Sequence, residues 1–213
     1  MSESLSRGER LEALRQEALS CRACPLWETR TNVVFGEGNP DAPLVFVGEG
    51  PGAQEDATGR PFVGRAGKLL DECMAECGIT RKHVYICNVV KCRACIREAG
   101  KVQNRAPRPA EVAACSRWLD QQLTIIQPLV IVCLGAPSAN AMIHPGFRML
   151  AERGQWFDTC RYAPHAIAAL HPAYILRQQG QAFDETRRSL VNDIEAARKK
   201  VIEARRAPQR TLF

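Results

Sequence analysis

Two short polar clusters in this chain each follow an apolar run: Gly48-Glu49-Gly50-Pro51-Gly52 and His171-Pro172-Ala173-Tyr174-Ile175-Leu176-Arg177. Both put polar groups and tight backbone just past expected strand ends, where open α/β sheets bind ligands. Their carboxylate and imidazole are groups that can position water and donate to developing negative charge. A second constellation has the character of a metal site. Cys21-x-x-Cys24-Pro25 brings two thiolates to one metal or cluster, because such a turn points both sulfurs inward. Cys92 directly follows an expected strand, and Cys115 falls in the helix after the next loop. Two distant pairs of thiolates suit either tetrahedral zinc or a four-iron cluster, and spacing alone does not separate them. Cys95 competes with Cys92 as a ligand. The bland alternative, unrelated buried thiols, fits poorly with a CxxC beside polar residues.

These groups need a scaffold. Apolar, β-rich segments at residues 44–47, 83–90, 129–134 and 165–170 read as strands. Between them, Leu69, Leu70, Cys73 and Cys77 recur at helical spacing, and Gly78 stops that helix. A second helix starts after Pro107 and Pro109 with Val112, Cys115, Leu119 and Leu123 inward, and a third follows Gly135. One more helix precedes Cys21, and a long amphipathic one covers about residues 183–204. The alternation predicts an α/β fold: a three-layer α/β/α sandwich around a central four-stranded parallel sheet. A single domain over residues 1–205 is expected, with residues 206–213 a flexible basic tail. Residues 93–108 read as a long basic loop, with Arg93, Arg97, Lys101, Arg105 and Arg108 against Glu98.

The 29 Lys and Arg outnumber the 23 Asp and Glu, leaving a net charge of +6. That excess suits a polyanionic partner without demonstrating one. Much of it lies in Arg198, Lys199, Lys200, Arg205, Arg206 and Arg210, a solvated helix face running into a frayed tail. The apolar runs are too short to span a bilayer, and the charged N-terminus lacks a secretory segment. A cytoplasmic protein without membrane contact is the expectation, so the ten cysteines call for metal binding or burial rather than disulfides. Cys73, Cys77, Cys87 and Cys133 fall in apolar patterns and read as small hydrophobes; Cys160 carries no signal.

Gly48-x-Gly50-x-x-Ala53 loosely fits a dinucleotide fingerprint, which would make the chain a redox or nucleotide-binding protein. That fingerprint needs a helix to open at once so that its amino end can hold pyrophosphate. Here Gln54-Glu55-Asp56 and a turn-rich Thr58-Gly59-Arg60 follow, and the acids would repel phosphate.

Taken together, Cys21-x-x-Cys24-Pro25, Gly48-Glu49-Gly50-Pro51-Gly52, Glu55-Asp56, Gly59-Arg60-Pro61-Phe62-Val63-Gly64, Asn88-Val89-Val90-Lys91-Cys92, Cys115 and His171-Pro172-Ala173-Tyr174 resemble the uracil-DNA glycosylase superfamily, specifically its iron-sulfur family 4. The resemblance covers nearly the whole chain. It implies a [4Fe–4S] cluster on Cys21, Cys24, Cys92 and Cys115, and a monomer that removes uracil from single- or double-stranded DNA. A base-excising enzyme must draw the nucleotide into a closed pocket and read its edge there. On this resemblance Asn88 reads uracil O4 and N3–H, Phe62 stacks on the base, and backbone around Gly50, Pro51 and Gly52 cradles it. His171 donates to O2, while Glu49 positions water and Glu55 shapes the pocket. Read without the family, Asn88 would be a turn residue, Phe62 plain core and His171 structural. Better-known relatives carry an aspartate where this chain has Gly50 and a tyrosine where it has Gly52.

Ile175 and Leu176 would form an exposed wedge filling the gap left by the flipped base, with Arg177 and Arg105 on phosphates. The alternative is a loop packed on the C-terminal helix. Residues 94–101 look like an insertion, and a related branch, family X, also has a long loop here. There a histidine traps the sugar covalently. Asn104 stands at the matching position, and an amide is a poor nucleophile, so turnover is expected. A DNA-binding protein that holds uracil or abasic sites without turnover, or traps them covalently, is the alternative.

Overall fold

The structure, a computed structural model, describes residues 5–158 and 161–206. Helix α1 (Arg7–Leu19) leads to the edge strand β1 (Glu37–Gly38), β2 (Leu44–Gly48), the short α2 (Ala53–Thr58) and α3 (Arg65–Glu76). Next come β3 (Tyr85–Asn88), β4 (Cys95–Glu98), β5 (Lys101–Asn104), α4 (Pro109–Ile126), β6 (Val130–Leu134) and α5 (Ala136–Met142). The chain then runs through α6 (Met149–Glu152), β7 (Trp156–Phe157), β8 (His165–Ala169), α7 (Pro172–Ile175) and α8 (Gly180–Arg206).

Strands β3, β2, β6 and β8 form the expected parallel core in that order. Their near-continuous apolar runs follow from burial on both faces. Leu11, Leu14 and Ala18 of α1, Trp118, Leu119 and Leu123 of α4, and Ala139 and Met142 of α5 cover one face. Leu69, Leu70 and Met74 of α3, Ile175 of α7, and Leu190 and Ile194 of α8 cover the other. The three-layer expectation holds, with one correction. The sheet has six strands, because β1 and β7 add antiparallel edges of two residues each. Edges that short carry no periodic signal in sequence.

Residues 93–108 differ more. The expected loop contains an antiparallel hairpin, β4 paired with β5 around Ala99 and Gly100, both at positive φ. Of the expected tail, residues 206–213, only Arg206 is described, as the last residue of α8; the rest lies outside the described residues, as does Cys160. No helix among the described residues is long and apolar enough to cross a membrane.

From β2 the chain reaches β3 on one side and β6 on the other, so the order reverses at β2. The carboxyl ends of β2, β3 and β8 therefore open on one crevice, the usual ligand position in such sheets.

Candidate active site

That crevice is a pocket of about 450 Å³ whose walls include Glu49, Gly50, Pro51, Gly52, Glu55, Phe62, Asn88, Asn104, Arg105 and His171. Residues scattered over much of the chain thus converge, and each is held by a definable local cause.

Asn88 ends β3 beside Gly48 of β2 and is 1% exposed. Its Oδ1 is buried with no hydrogen-bond partner. Native proteins rarely leave a buried carbonyl oxygen unpaired, and doing so costs about 1–3 kcal/mol. A side chain at Gly48 would collide with that oxygen and come within 2.6 Å of Phe62 Cζ, so glycine is needed for this close packing. Phe62 adopts a positive φ of 52°, uncommon for a bulky residue. Arg81 secures it, donating to the carbonyls of Pro61 (3.0 Å) and Phe62 while pairing with Glu37 at 2.6 Å and Asp71 at 2.8 Å. Gly67 on α3 lets the Phe62 backbone approach where any side chain would clash.

His171 caps α7: its Nδ1 accepts the Ala173 N–H at 3.0 Å. An accepting Nδ1 places the proton of the neutral ring on Nε2, which makes Nε2–H a donor. Burial, with the Arg177 charge second, holds the imidazole down to about 4, so the ring is neutral at physiological pH. It lies 5.8 Å from the Phe62 ring, centroid to centroid.

The two acids part company. Glu49 is half-buried on the pocket wall, and among the described residues no hydrogen bond or ion pair engages its carboxylate; burial raises its pKa. Glu55 instead accepts three backbone N–H groups, from Gly52 (3.1 Å), Val63 (2.9 Å) and Gly64 (2.8 Å). It ties the glycine-rich turn to the Phe62 loop. A helix, α2, does open directly after Gly52, against the sequence expectation. Its amino end is already filled by the Glu55 carboxylate, so the site still does not suit pyrophosphate. A Cβ at Gly50 would lie 2.7 Å from Val90 Cγ2, and one at Gly52 2.7 Å from Glu55 Oε2. A side chain at either position would have to displace Val90 or Glu55.

Three residues expected to contact DNA have other surroundings in the structure. Ile175 is fully buried in the core beneath α8, and Leu176 packs against the same core. The cause is α7, whose turn directs Ile175 inward. Arg105, though it lines the pocket, pairs bidentately with buried Glu111 at 2.7 and 2.6 Å, so its guanidinium is already engaged. Arg177 is exposed, 5.9 Å from the Tyr174 ring. A second groove of about 490 Å³ runs from Glu49 and His171 past Tyr174, Arg177 and Leu150. Leu150 is 95% exposed and was not singled out by sequence, where one apolar residue in an irregular stretch carries no signal.

Cys21, Cys24, Cys92 and Cys115 line one small cavity, together with Arg30, Lys91 and Trp118. Cys95 is not among its lining residues. Among the described residues no group of three or more His, Cys, Asp and Glu forms a site for a single metal ion. N–H donors point at the sulfurs: Lys91 N to Cys115 at 3.2 Å, Arg30 Nη1 to Cys92 at 3.3 Å, and Trp118 Nε1 to Cys21 at 3.4 Å. Donors aimed at sulfur are what thiolates accept, and this donor set fits an iron-sulfur cluster. Burial pushes the Cys92 thiol up to about 11 and raises that of Cys115, so a bound cation is needed to ionise them.

Comparison with known proteins agrees with this geometry. The sequence pattern of the uracil DNA glycosylase superfamily matches residues 35–195. A type-4 uracil-DNA glycosylase of Thermotoga maritima is 46% identical over 91% of this chain and 95% of its own. One from Archaeoglobus fulgidus is 40% identical over 96% of this chain and 98% of its own. A type-5 uracil-DNA glycosylase of Thermus thermophilus is 31% identical over 67% of this chain and 69% of its own. The chain belongs to the uracil DNA glycosylase superfamily and groups within it with the type-4 enzymes.

Proposed function

We propose that this protein is a monofunctional uracil-DNA glycosylase, hydrolysing the N-glycosidic bond of uracil flipped out of single- or double-stranded DNA to leave an abasic site. The observation that carries the reading is the unpartnered buried Oδ1 of Asn88. Uracil N3–H supplies the missing donor, and uracil O4 accepts from Asn88 Nδ2. Cytosine reverses both groups and would leave buried polar atoms unpaired. Phe62 stacks on the base.

As the C1′–N1 bond breaks, its electron pair leaves with the base and charge gathers on O2. His171 Nε2–H donates there, and a neutral donor needs no proton transfer to do so. Glu49 aligns a water against the cationic sugar. The water oxygen bonds to C1′, its proton passes to Glu49, and uracil leaves as the anion or takes a proton from solvent. Glu55 acts on this chemistry only through the turn and loop that it joins. Asn104, whose Oδ1 accepts from Arg93 Nε at 2.7 Å, offers no nucleophile, which supports turnover over trapping.

Cys21, Cys24, Cys92 and Cys115 would hold a [4Fe–4S] cluster. Bound there, it would cross-link the segment before β1, the segment after β3 and α4. The second groove, with exposed Leu150, Tyr174 and Arg177, receives the flanking DNA, taking over the wedge role expected of Ile175. The reading places a monomer on DNA in the cytoplasm. Incubation with a labelled uracil-containing oligonucleotide, then alkaline cleavage and a denaturing gel, tests it. Cut product in excess of enzyme is expected. Absence of product refutes hydrolysis, and a band shift that survives denaturant refutes turnover.

A further inference from the structure

One buried amine has no part in this chemistry. Lys91 is 1% exposed, yet no salt bridge among the described residues engages it. Its Nζ donates to the main-chain carbonyl of Asn88 at 2.7 Å, and its own backbone N–H donates to Cys115 Sγ at 3.2 Å. Its carbonyl accepts from Val34 N at 2.8 Å. Burial pushes the Lys91 pKa down, and the groups that oppose this and favour the ammonium are the nearby thiols Cys87, Cys115 and Cys92. An ammonium in such a place is costly unless negative charge offsets it, and a single carbonyl dipole does not. A cluster held by thiolates is a net anion. The Asn88 carboxamide has no partner at Oδ1 among the described residues. The main chain just after it is held to β2 by Val89 N to Gly48 O at 2.9 Å and Val90 N to Glu49 O at 3.0 Å, and Lys91 Nζ adds a side-chain tether at the Asn88 carbonyl itself.

We propose that Lys91 is a positioning residue that couples the cluster site to uracil reading. Its charge balances the cluster thiolates, and its ammonium clamps the Asn88 carbonyl so that the carboxamide meets the base edge. The inference rests on the proposed uracil-reading role of Asn88. It makes the cluster more than a cross-link, because losing it would leave the ammonium uncompensated beside the base-reading strand end.

The test compares Lys91→Met, which removes both charge and donor, with Lys91→Gln, which can still donate but is neutral. Free-uracil binding to the whole protein by calorimetry reads positioning, and the reduction potential of the iron-sulfur absorption band reads charge. Lys91→Met is expected to weaken uracil binding about ten-fold, the scale of one lost hydrogen bond. Lys91→Gln regains most of that loss. Both variants lower the potential, since a nearby positive charge favours the reduced cluster. Uracil affinity within about two-fold of wild type in Lys91→Met overturns the positioning role. An unchanged potential in both overturns the charge role. Should Lys91→Met fail to fold, a Lys91→Gln protein with unaltered potential is sufficient to refute the coupling. Failure of the wild type itself to bind uracil refutes the underlying reading of Asn88, and this inference with it.

Discussion

Replacing Asn88 by alanine separates function from folding. The carboxamide Oδ1 is buried without a hydrogen-bond partner among the described residues. Truncation therefore removes nothing the fold uses and relieves an unsatisfied acceptor whose burial costs about 1–3 kcal/mol. Against this stands a small loss of packing at a position that opens on the pocket. Thermal stability should stay level or rise. For the substrate the change removes two hydrogen bonds, together about 2–3 kcal/mol, or about 30- to 160-fold in kcat/KM for uracil. The assay pairs single-turnover cleavage of a uracil oligonucleotide with a thermal melt of the same preparation. A fall in kcat/KM smaller than about five-fold, or a marked loss of Tm, refutes the assignment of Asn88 as the base reader.

Glu49→Gln should lower the rate by about 10²- to 10⁴-fold while leaving the melting temperature equal or higher at neutral pH, because a half-buried carboxylate without a partner is relieved of its charge; near-normal turnover would rule it out as the water-positioning group. Glu55→Ala orphans the N–H groups of Gly52, Val63 and Gly64, and about 3 kcal/mol of stability should go with them, lowering Tm by about 6–12 °C. Glu55→Gln should slow the reaction far less than Glu49→Gln, and equal rate losses would contradict the division of roles. His171 has a folded-state pKa of about 4, below its ordinary value, so between these two the unfolded chain binds a proton that the folded one refuses. Its contribution is therefore fully present above about pH 6.5 and is lost as pH falls towards 4. Melts against pH should show His171→Asn with a shallower acid slope than wild type, and identical slopes would refute the burial argument.

Much of this was legible in one dimension. The four parallel strands are continuous apolar runs because helices cover both sheet faces, and Gly78, Pro109 and Gly135 mark helix boundaries by local chemistry that needs no tertiary context. The motif residues at 49, 88 and 171 sit at strand ends for the same reason, so their convergence followed once the sheet was parallel. Interactions set by long-range packing were not legible. Ile175 reads as an exposed wedge beside a histidine motif, and only the turn of α7 against α8 directs it inward. Arg105 looks like one more cation in a basic segment until the first turn of α4 brings Glu111, six residues on, back to it. The division between two nearby acids, one bonded to three backbone N–H groups and one to none, is decided by where the Phe62 loop returns. Lys91, one basic residue after an apolar strand, acquires its meaning from the thiols and the carbonyl that the fold closes around it. Sequence determined which groups were present and which strand ends they occupied, since periodicity and turn chemistry are local. Tertiary structure decided which of them remain unpartnered, because a hydrogen bond between distant segments exists only after the chain has packed.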